Sequence, residues 1–207
     1  MIPRTVVVQW TVRVMAVILA AGAGRRIGGP KALLPIAGTT FLAHLARALA
    51  RPGVTGIVAV LGHQARRVVA EAGLPPDVAT VVNPRPDEGM LGSVIAGVRA
   101  ADARAADAVL LHPVDHPLVA PATVDGVLVA LNAGAMVAVP AYGARRGHPG
   151  GFARPAWPSL LGASAARGAR AVLADHPEWV VRVPGDGGCV AGIDTREDYE
   201  RFVGVLP

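Results

Sequence analysis

The side chains best suited to chemistry lie in one glycine-rich stretch near the amino end of the chain, "AAGAGRRIGGPK" at 20–31. It follows an apolar run and combines several glycines with the cations Arg25, Arg26 and Lys31. Glycines let backbone N–H groups approach an anion closely. Fixed cations hold phosphates and stabilise charge during phosphoryl chemistry. The stretch therefore predicts a loop that binds a phosphorylated ligand, in preference to a surface loop with solvated charges.

Two well-known phosphate-binding loops do not fit this spacing. A dinucleotide fingerprint needs a third glycine where Ile27 stands, and Pro30 disfavours the helix that should follow directly. The acidic residue expected after the second strand is also missing from "AVLGHQ" at 59–64. A Walker-type loop needs Ser or Thr after its lysine, but Ala32 follows Lys31. A dehydrogenase is thus disfavoured, and so is a P-loop enzyme.

Asp115 is the best candidate for a metal ligand, in the stretch "HPVDHP" at 112–117. A carboxylate directly after a buried strand can bind Mg²⁺, which bridges triphosphate oxygens. The alternative is an aspartate in an ordinary turn. His112 and His116 lack a convincing third partner for zinc, so we expect them to play structural or supporting roles.

Apolar segments along the chain alternate between strand and helix patterns. The predicted strands are 12–19, 56–61, 79–82, 108–111, 135–140 and 180–183. The predicted helices are 39–51, 63–72, 91–101, 121–131, 155–161, 169–174 and 196–203. This alternation implies right-handed crossovers and a mainly parallel α/β sheet.

Ligands of such sheets bind beyond the carboxyl ends of the strands. The segments 22–31, 83–92 and 112–117 each follow a predicted strand. We therefore expect them to form one site.

Five stretches resemble, in the same order, the motifs of the MobA-like nucleotidyltransferases. They are "LAAGAGRRIGGPKALLP", "NPRPDEGMLGSVIAGV", "LLHPVDHPLV", "RRGHPGGF" and "GIDTREDYERF", and the likeness runs from about 14 to 202. Within that family, the residues of these motifs are most similar to those of the molybdenum cofactor cytidylyltransferases. The resemblance implies a three-layer α/β sandwich of the Rossmann-like nucleotide-diphospho-sugar transferase type. It implies a single domain over 1–207, with 1–14 as a candidate N-terminal extension.

The resemblance also implies roles for individual residues. The implied catalytic residues are Arg26, Lys31 and Asp115. Those implied to bind the nucleotide are Leu19, Ala20, Ala21, Gly22, Gly24, Arg26, Lys31, Asn83, Gly89 and Ser93. Arg146 and His148 would meet the acceptor, and Asp115 and Asp194 would hold Mg²⁺.

Three of these roles have structural alternatives. Gly89 and Ser93 lie where a helix N-terminus needs caps. Asp194 can instead cap the last helix. Gly192 stands where the family commonly has an acid, so this chain has one carboxylate fewer there.

The activity implied is transfer of CMP from CTP to molybdopterin or a related phosphorylated acceptor, with release of pyrophosphate. One alternative is a nucleotidyltransferase for a sugar phosphate or another small phosphate. The other is a nucleotide-binding accessory protein without turnover that serves a molybdenum enzyme, an idea to which Gly192 lends weight.

Composition agrees with these expectations. Hydrophobic residues make up 52% of the 207 and charged residues 17%, which excludes a disordered chain. The net charge of +5 favours anionic partners, and the scattered arginines suit small phosphorylated ligands better than nucleic acid. The single cysteine, Cys189, suits a reducing cytoplasm. The longest uncharged run, 126–144, contains glycines and Pro140, so we expect no membrane helix and, at the amino end, no signal peptide.

Overall fold

The computed structural model describes residues 9–163 and 168–205. Its strands are β1 (Val14–Ala20), β2 (Pro35–Ile36), β3 (Thr39–Thr40), β4 (Val54–Leu61), β5 (Val78–Val82), β6 (Ala108–Pro113), β7 (Val137–Tyr142), β8 (Arg145–Arg146), β9 (Gly150–Ala153) and β10 (Val180–Pro184). Its α-helices are α1 (Phe41–Leu49), α2 (Ala65–Glu71), α3 (Met90–Asp102), α4 (Pro121–Asn132), α5 (Trp157–Leu161), α6 (Arg170–Asp175) and α7 (Arg196–Phe202).

A mixed, mainly parallel sheet forms the centre of the molecule. Its strand order is β10-β7-β9-β6-β1-β4-β5, and β8 pairs with β7. The pairs β6–β1, β1–β4, β4–β5 and β10–β7 are parallel, whereas β9 runs antiparallel to both of its neighbours. This arrangement confirms the α/β fold expected from the sequence.

Strand β1 shows why the molecule has three layers. Its side chains point alternately to the two faces of the sheet. Val14, Ala16 and Ile18 join a core that contains residues of α1, α2, α4 and α7. Val17 and Leu19 join a second core that contains residues of α3, α5 and α6. All seven residues of β1 are buried, as expected of a strand covered on both faces.

Two glycines permit close packing of helices on the sheet. A Cβ at Gly97 of α3 would lie 2.3 Å from Val17 Cγ1 of β1. A Cβ at Gly151 of β9 would lie 2.8 Å from Val127 Cγ1 and 2.9 Å from Leu131 Cδ1, both on α4. The second glycine of the "GHPGG" stretch, Gly151, is thus explained by helix packing, whereas a Cβ at Gly150 would meet the Phe152 ring at 3.0 Å.

Every helix and strand predicted from the sequence is present, with ends that differ by a few residues. The prediction missed β2, β3, β8 and β9. Each has two to four residues, too few to show an alternating pattern, and "GGFA" of β9 contains no β-branched residue.

Residues 9–13 of the predicted N-terminal extension pack on the domain. Asn132 Oδ1 accepts hydrogen bonds from the backbone N–H groups of Thr11 and Val12, at 2.9 and 3.3 Å. The Trp10 ring fills the space beside Gly53. The rest of the extension before Gln9 lies outside the described residues. No helix within 9–163 or 168–205 has both the length and the apolar character that crossing a membrane requires.

Candidate active site

The glycine-rich loop leaves the carboxyl end of β1 and folds back on itself. Gly24 has φ of +61° and accepts hydrogen bonds from the N–H groups of Ile27 and Gly29, at 3.0 and 3.1 Å. A Cβ at Gly24 would lie 1.7 Å from the Gly29 carbonyl oxygen, so the loop requires glycine there. The loop contains two short 3-10 turns, Arg25–Ile27 and Lys31–Leu33. The second turn directs the Lys31 side chain toward Asp115.

Lys31 joins two carboxylates that are far from it in sequence. Its Nζ donates to Asp115 Oδ2 at 3.0 Å and to Asp194 Oδ1 at 2.6 Å. Arg26 also donates to Asp194 Oδ1, at 2.8 Å. The structure therefore brings together the residues that the sequence assigned to catalysis and metal binding, Arg26, Lys31, Asp115 and Asp194.

The backbone holds the two carboxylates next to each other. The Ile193 N–H donates to the Asp115 carbonyl at 2.8 Å, which fixes the segment before α7 against the turn after β6. His112, fully buried at the end of β6, shares a hydrogen bond of 2.9 Å between its Nε2 and the His116 carbonyl. Since a carbonyl only accepts, His112 Nε2 carries the proton. The histidine thus supports the turn that carries Asp115, as expected.

Asp115 is ionised in this environment. Burial by itself raises the pKa of Asp115, but the hydrogen bond from His116 and the positive charge of Lys31 lower it well below its usual range. His116 Nδ1 donates to Asp115 Oδ1 at 2.9 Å, and this leaves Oδ2 directed at Lys31.

The donor set suits a divalent cation. Two carboxylates already converge on one positive group, the Lys31 ammonium. Mg²⁺ is typically bound by one or two carboxylates together with substrate phosphates and waters. In the described part of the chain, no group of three or more His, Cys, Asp or Glu side chains is arranged to hold a metal by itself.

Asp194 is not the cap of the last helix. Thr195 caps α7, with its Oγ1 accepting from the Asp198 N–H at 3.1 Å, while the Asp198 carboxylate accepts from the Thr195 N–H at 2.9 Å. This capping box leaves the Asp194 carboxylate to Arg26 and Lys31.

The acid that the family pattern expects at 192 has no equivalent in this space. A Cβ at Gly192 would lie 3.3 Å from Cε1 and Nε2 of His116, so the imidazole occupies the place of a side chain.

Asn83, Gly89 and Ser93 shape the loop between β5 and α3. Both polar side chains are buried, and Asn83 Nδ2 donates to Ser93 Oγ at 3.1 Å. Asn83 Oδ1 also accepts from the Arg85 N–H at 3.0 Å. Gly89 has φ of +96° where α3 begins. These contacts have a structural purpose, and a role of the three residues in binding nucleotide stays a prediction.

Two cavities lie near Asp115, since its partner Lys31 lines the first and Pro113, at the end of β6, lines the second. The first is an open cleft of about 510 Å³ over the glycine-rich loop, lined by Gly22, Ala23, Gly24, Arg25, Arg26, Lys31, Asp87 and Asp194. The second, of about 470 Å³, has mainly apolar walls that include Leu19, Met90, Leu91, Phe152 and Leu173. Arg146, Arg170 and His148 supply its polar side chains. Of the residues predicted to bind the acceptor, both Arg146 and His148 line the second cavity.

His148 is half-buried, although loop histidines are usually exposed. Burial lowers its pKa to about 3, helped by the nearby positive charge of other side chains, so the ring is neutral. Its Nδ1 is buried and finds no hydrogen-bond partner among the residues that the structure describes, and its ring lies edge-on to His116 with centroids 4.7 Å apart. The loop is held by the His148 N–H, which donates to the Cys189 carbonyl at 2.8 Å.

The sequence analysis missed two contributors to the site. A Cβ at Gly62 would lie 2.2 Å from the Ala21 carbonyl oxygen, so only glycine lets β4 end beside the glycine-rich loop. His63 Nε2 and Asp87 Oδ2 lie 2.6 Å apart across a small cavity lined by Ala20, Ala21 and Gly22. The signal for both was their position after a strand, at "LGHQ" and "NPRPDEG".

A family model for the MobA-like NTP transferase domain matches residues 16–180. The chain is 38% identical over 203 residues to nicotine blue oxidoreductase of Paenarthrobacter nicotinovorans, which covers 92% of this chain and 96% of that protein. It is 37% identical over 136 residues to a 2-C-methyl-D-erythritol 4-phosphate cytidylyltransferase of Streptomyces avermitilis, covering 62% of this chain and 54% of that protein.

Solved structures show the same fold. A nucleotidyl transferase from Methanothermobacter is 27% identical, with a TM-score of 0.78 and coverage of 92% of this chain and 96% of that one. A Mycobacterium tuberculosis protein solved in complex with manganese is 30% identical, with a TM-score of 0.72 and coverage of 92% and 98%. The likeness therefore extends over nearly the full length of both chains.

Proposed function

The chain belongs to the MobA-like NTP transferase family, and from that premise we propose that it transfers CMP from CTP to a phosphorylated acceptor and releases pyrophosphate. The observation that carries the proposal is the convergence of Arg26, Lys31, Asp115 and Asp194 beside the glycine-rich loop. Two cations and two carboxylates at a strand end suit a triphosphate bound with a metal.

Asp115 and Asp194 would hold Mg²⁺, which supplies positive charge to the triphosphate oxygens when bound. The manganese complex of the Mycobacterium tuberculosis neighbour supports a divalent metal in this family.

Lys31 and Arg26 act on the α- and β-phosphates. Both cations are tethered by Asp194, so the loop holds them in place before the substrate arrives. Fixed positive charge stabilises the transition state because little reorganisation is needed as negative charge shifts to the leaving pyrophosphate. The acceptor phosphate is itself the nucleophile, so the reaction needs alignment of two substrates and no covalent enzyme intermediate.

The second cavity suits molybdopterin better than a sugar phosphate. Its walls are mainly apolar, which suits a flat ring system, and Arg146 offers a cation for the acceptor phosphate. A polyhydroxylated acceptor would find few hydrogen-bonding side chains there. The choice of CTP is supported by the cytidylyltransferase named among the relatives.

The test is a pyrophosphate-release assay in which CTP, GTP and ATP are each combined with molybdopterin, 2-C-methyl-D-erythritol 4-phosphate and a hexose 1-phosphate. We expect release with CTP and molybdopterin and none without an acceptor. Pyrophosphate release only with another combination of triphosphate and acceptor would show that the proposed substrates are wrong while the reaction class is right. CTP binding without release for every acceptor would support the accessory role instead.

A reductase is the second candidate, because the relative that matches 92% of the chain is named an oxidoreductase. The apolar second cavity could take a flat electron acceptor as well as a flat phosphate ester. Oxidation of NADH or NADPH with a quinoid dye, followed at 340 nm, separates the candidates. Dye reduction without pyrophosphate release in any combination would establish the reductase.

A further inference from the structure

His116 contacts Asp115, which pairs with Lys31 of the first cavity, and His148, which lines the second. Its Nδ1 is 2.9 Å from Asp115 Oδ1, and its ring packs edge-on against His148, which lines the second cavity. The side chain is 18% exposed, so it is held in a largely closed space. It belongs neither to the glycine-rich loop nor to the carboxylates assigned above.

The contact between His116 and Asp115 determines which oxygen of the Asp115 carboxylate faces Lys31 and the open cleft over the glycine-rich loop. Asp115 Oδ1 accepts from His116, and Asp115 Oδ2 accepts from Lys31 at 3.0 Å. A carboxylate with one oxygen held by an N–H donor cannot rotate freely about its last bond. The oxygen that faces Lys31 is therefore fixed in the direction in which a cation would be bound.

Two hydrogen bonds hold the main chain of His116 in place. The His116 carbonyl accepts from His112 Nε2 at 2.9 Å, and the His116 N–H donates to the Pro113 carbonyl at 3.2 Å. On the far side, Gly192 leaves room for the ring, because a Cβ there would already lie 3.3 Å from Cε1 and Nε2. A larger residue at 192 would require the ring to shift by a few tenths of an ångström.

We propose that His116 is a positioning residue that orients Asp115 for the divalent metal through its Nδ1–H. This inference rests on the proposed metal-dependent transfer but concerns metal binding itself, which can be measured without turnover. Partners that orient a metal ligand typically change metal affinity about 10–100-fold when removed.

The experiment measures Mn²⁺ binding to the full chain from the electron paramagnetic resonance signal of free Mn²⁺, with and without CTP. His116→Leu fills the space without an N–H donor, and His116→Asn restores a donor. His176→Leu is the matched control, because His176 stacks on Trp179 and its nearby carboxylate is Glu178. Thermal melting and near-UV circular dichroism show that each variant is folded.

We expect His116→Leu to weaken Mn²⁺ binding about tenfold or more, with His116→Asn recovering most of it and His176→Leu unchanged. In the transfer assay, the Mn²⁺ concentration for half-maximal rate should rise by the same factor for His116→Leu, with saturating Mn²⁺ restoring the rate. Wild-type affinity in His116→Leu, or equal loss in the Leu and Asn variants, overturns the positioning role alone. No Mn²⁺ binding by the wild type overturns the metal assignment and this inference with it.

Discussion

Lys31→Met tests the proposed chemistry most directly. The variant keeps most of the apolar stem and removes the ammonium that contacts Asp115 and Asp194 at 3.0 and 2.6 Å. Loss of one fixed group that stabilises transition-state charge typically costs about 2.7–4 kcal/mol, or about 10²–10³ in kcat. We therefore expect kcat for pyrophosphate release to fall by that factor.

Stability should change much less than turnover. The Asp194 side chain is 45% exposed, and an ion pair of this kind contributes about 1 kcal/mol or less. The pair with Asp115 is largely closed to solvent, with side chains 14% and 23% exposed, so its loss costs more than that of a surface pair. Asp115 keeps its hydrogen bond from His116. Lys31→Met should thus remain folded in the assay buffer, and its urea unfolding curve shows whether lost activity reports chemistry and not folding.

Arg25→Met is the matched control in the same loop. The Arg25 side chain is 87% exposed, and its ion pair is a contact of 4.0 Å with Asp87. We expect the loss of this exposed charge to change kcat less than about threefold. The assay is release of pyrophosphate at saturating CTP and acceptor. Turnover of Lys31→Met within threefold of the wild type, or an equal fall in both variants, would refute the reasoning.

Asp186→Ala is expected to lower the free energy of unfolding by about 1.5–3 kcal/mol in urea at pH 7, because its charged carboxylate accepts from the Thr123 hydroxyl and from backbone N–H groups. Burial raises the pKa of Asp186, but these hydrogen bonds bring it below the ordinary 3.8. The stabilisation is therefore present above pH 3.8 and is lost as the pH falls through the folded pKa. Plots of the free energy of unfolding against pH should converge in acid for the wild type and Asp186→Asn. Gly151→Ala should lower the free energy of unfolding in urea by about 1–3 kcal/mol, because the new methyl group overpacks the contact with α4. Gly187→Ala should lower it by about 0.5 kcal/mol or less, because a Cβ there meets nothing within 4 Å. Burial lowers the pKa of His112 to about 4 and that of His148 to about 3, so their ring signals in NMR should stay flat between about pH 5.5 and pH 8; a transition near pH 6.5 in either ring contradicts this burial argument.

Local pattern was enough for most of the architecture. The alternation of apolar strands and helical faces predicted the parallel part of the sheet, because each of these elements is long enough to show its own period. The same alternation, with the rule that ligands bind at carboxyl ends of strands, brought the glycine-rich loop and Asp115 to one edge. Glycines and cations at a strand end pointed to the loop, and the resemblance to the family motif then singled out Arg26 and Lys31.

Tertiary structure decided what depends on contacts between distant segments. Asp194 could cap a helix or face the site, and only the capping box of Thr195 and Asp198 releases its carboxylate to Lys31, 163 residues away in the chain. The antiparallel strand β9 is too short to have a period of its own and owes its place to β6 and β7, which pair with it on either side. His116 acquires its contact with Asp115 from the turn after β6 and its space from Gly192, which the sequence alone identified only as a missing acid. Residue types and local periods determined the chemistry available to this protein, and packing between distant elements determined which oxygen and which nitrogen face each other.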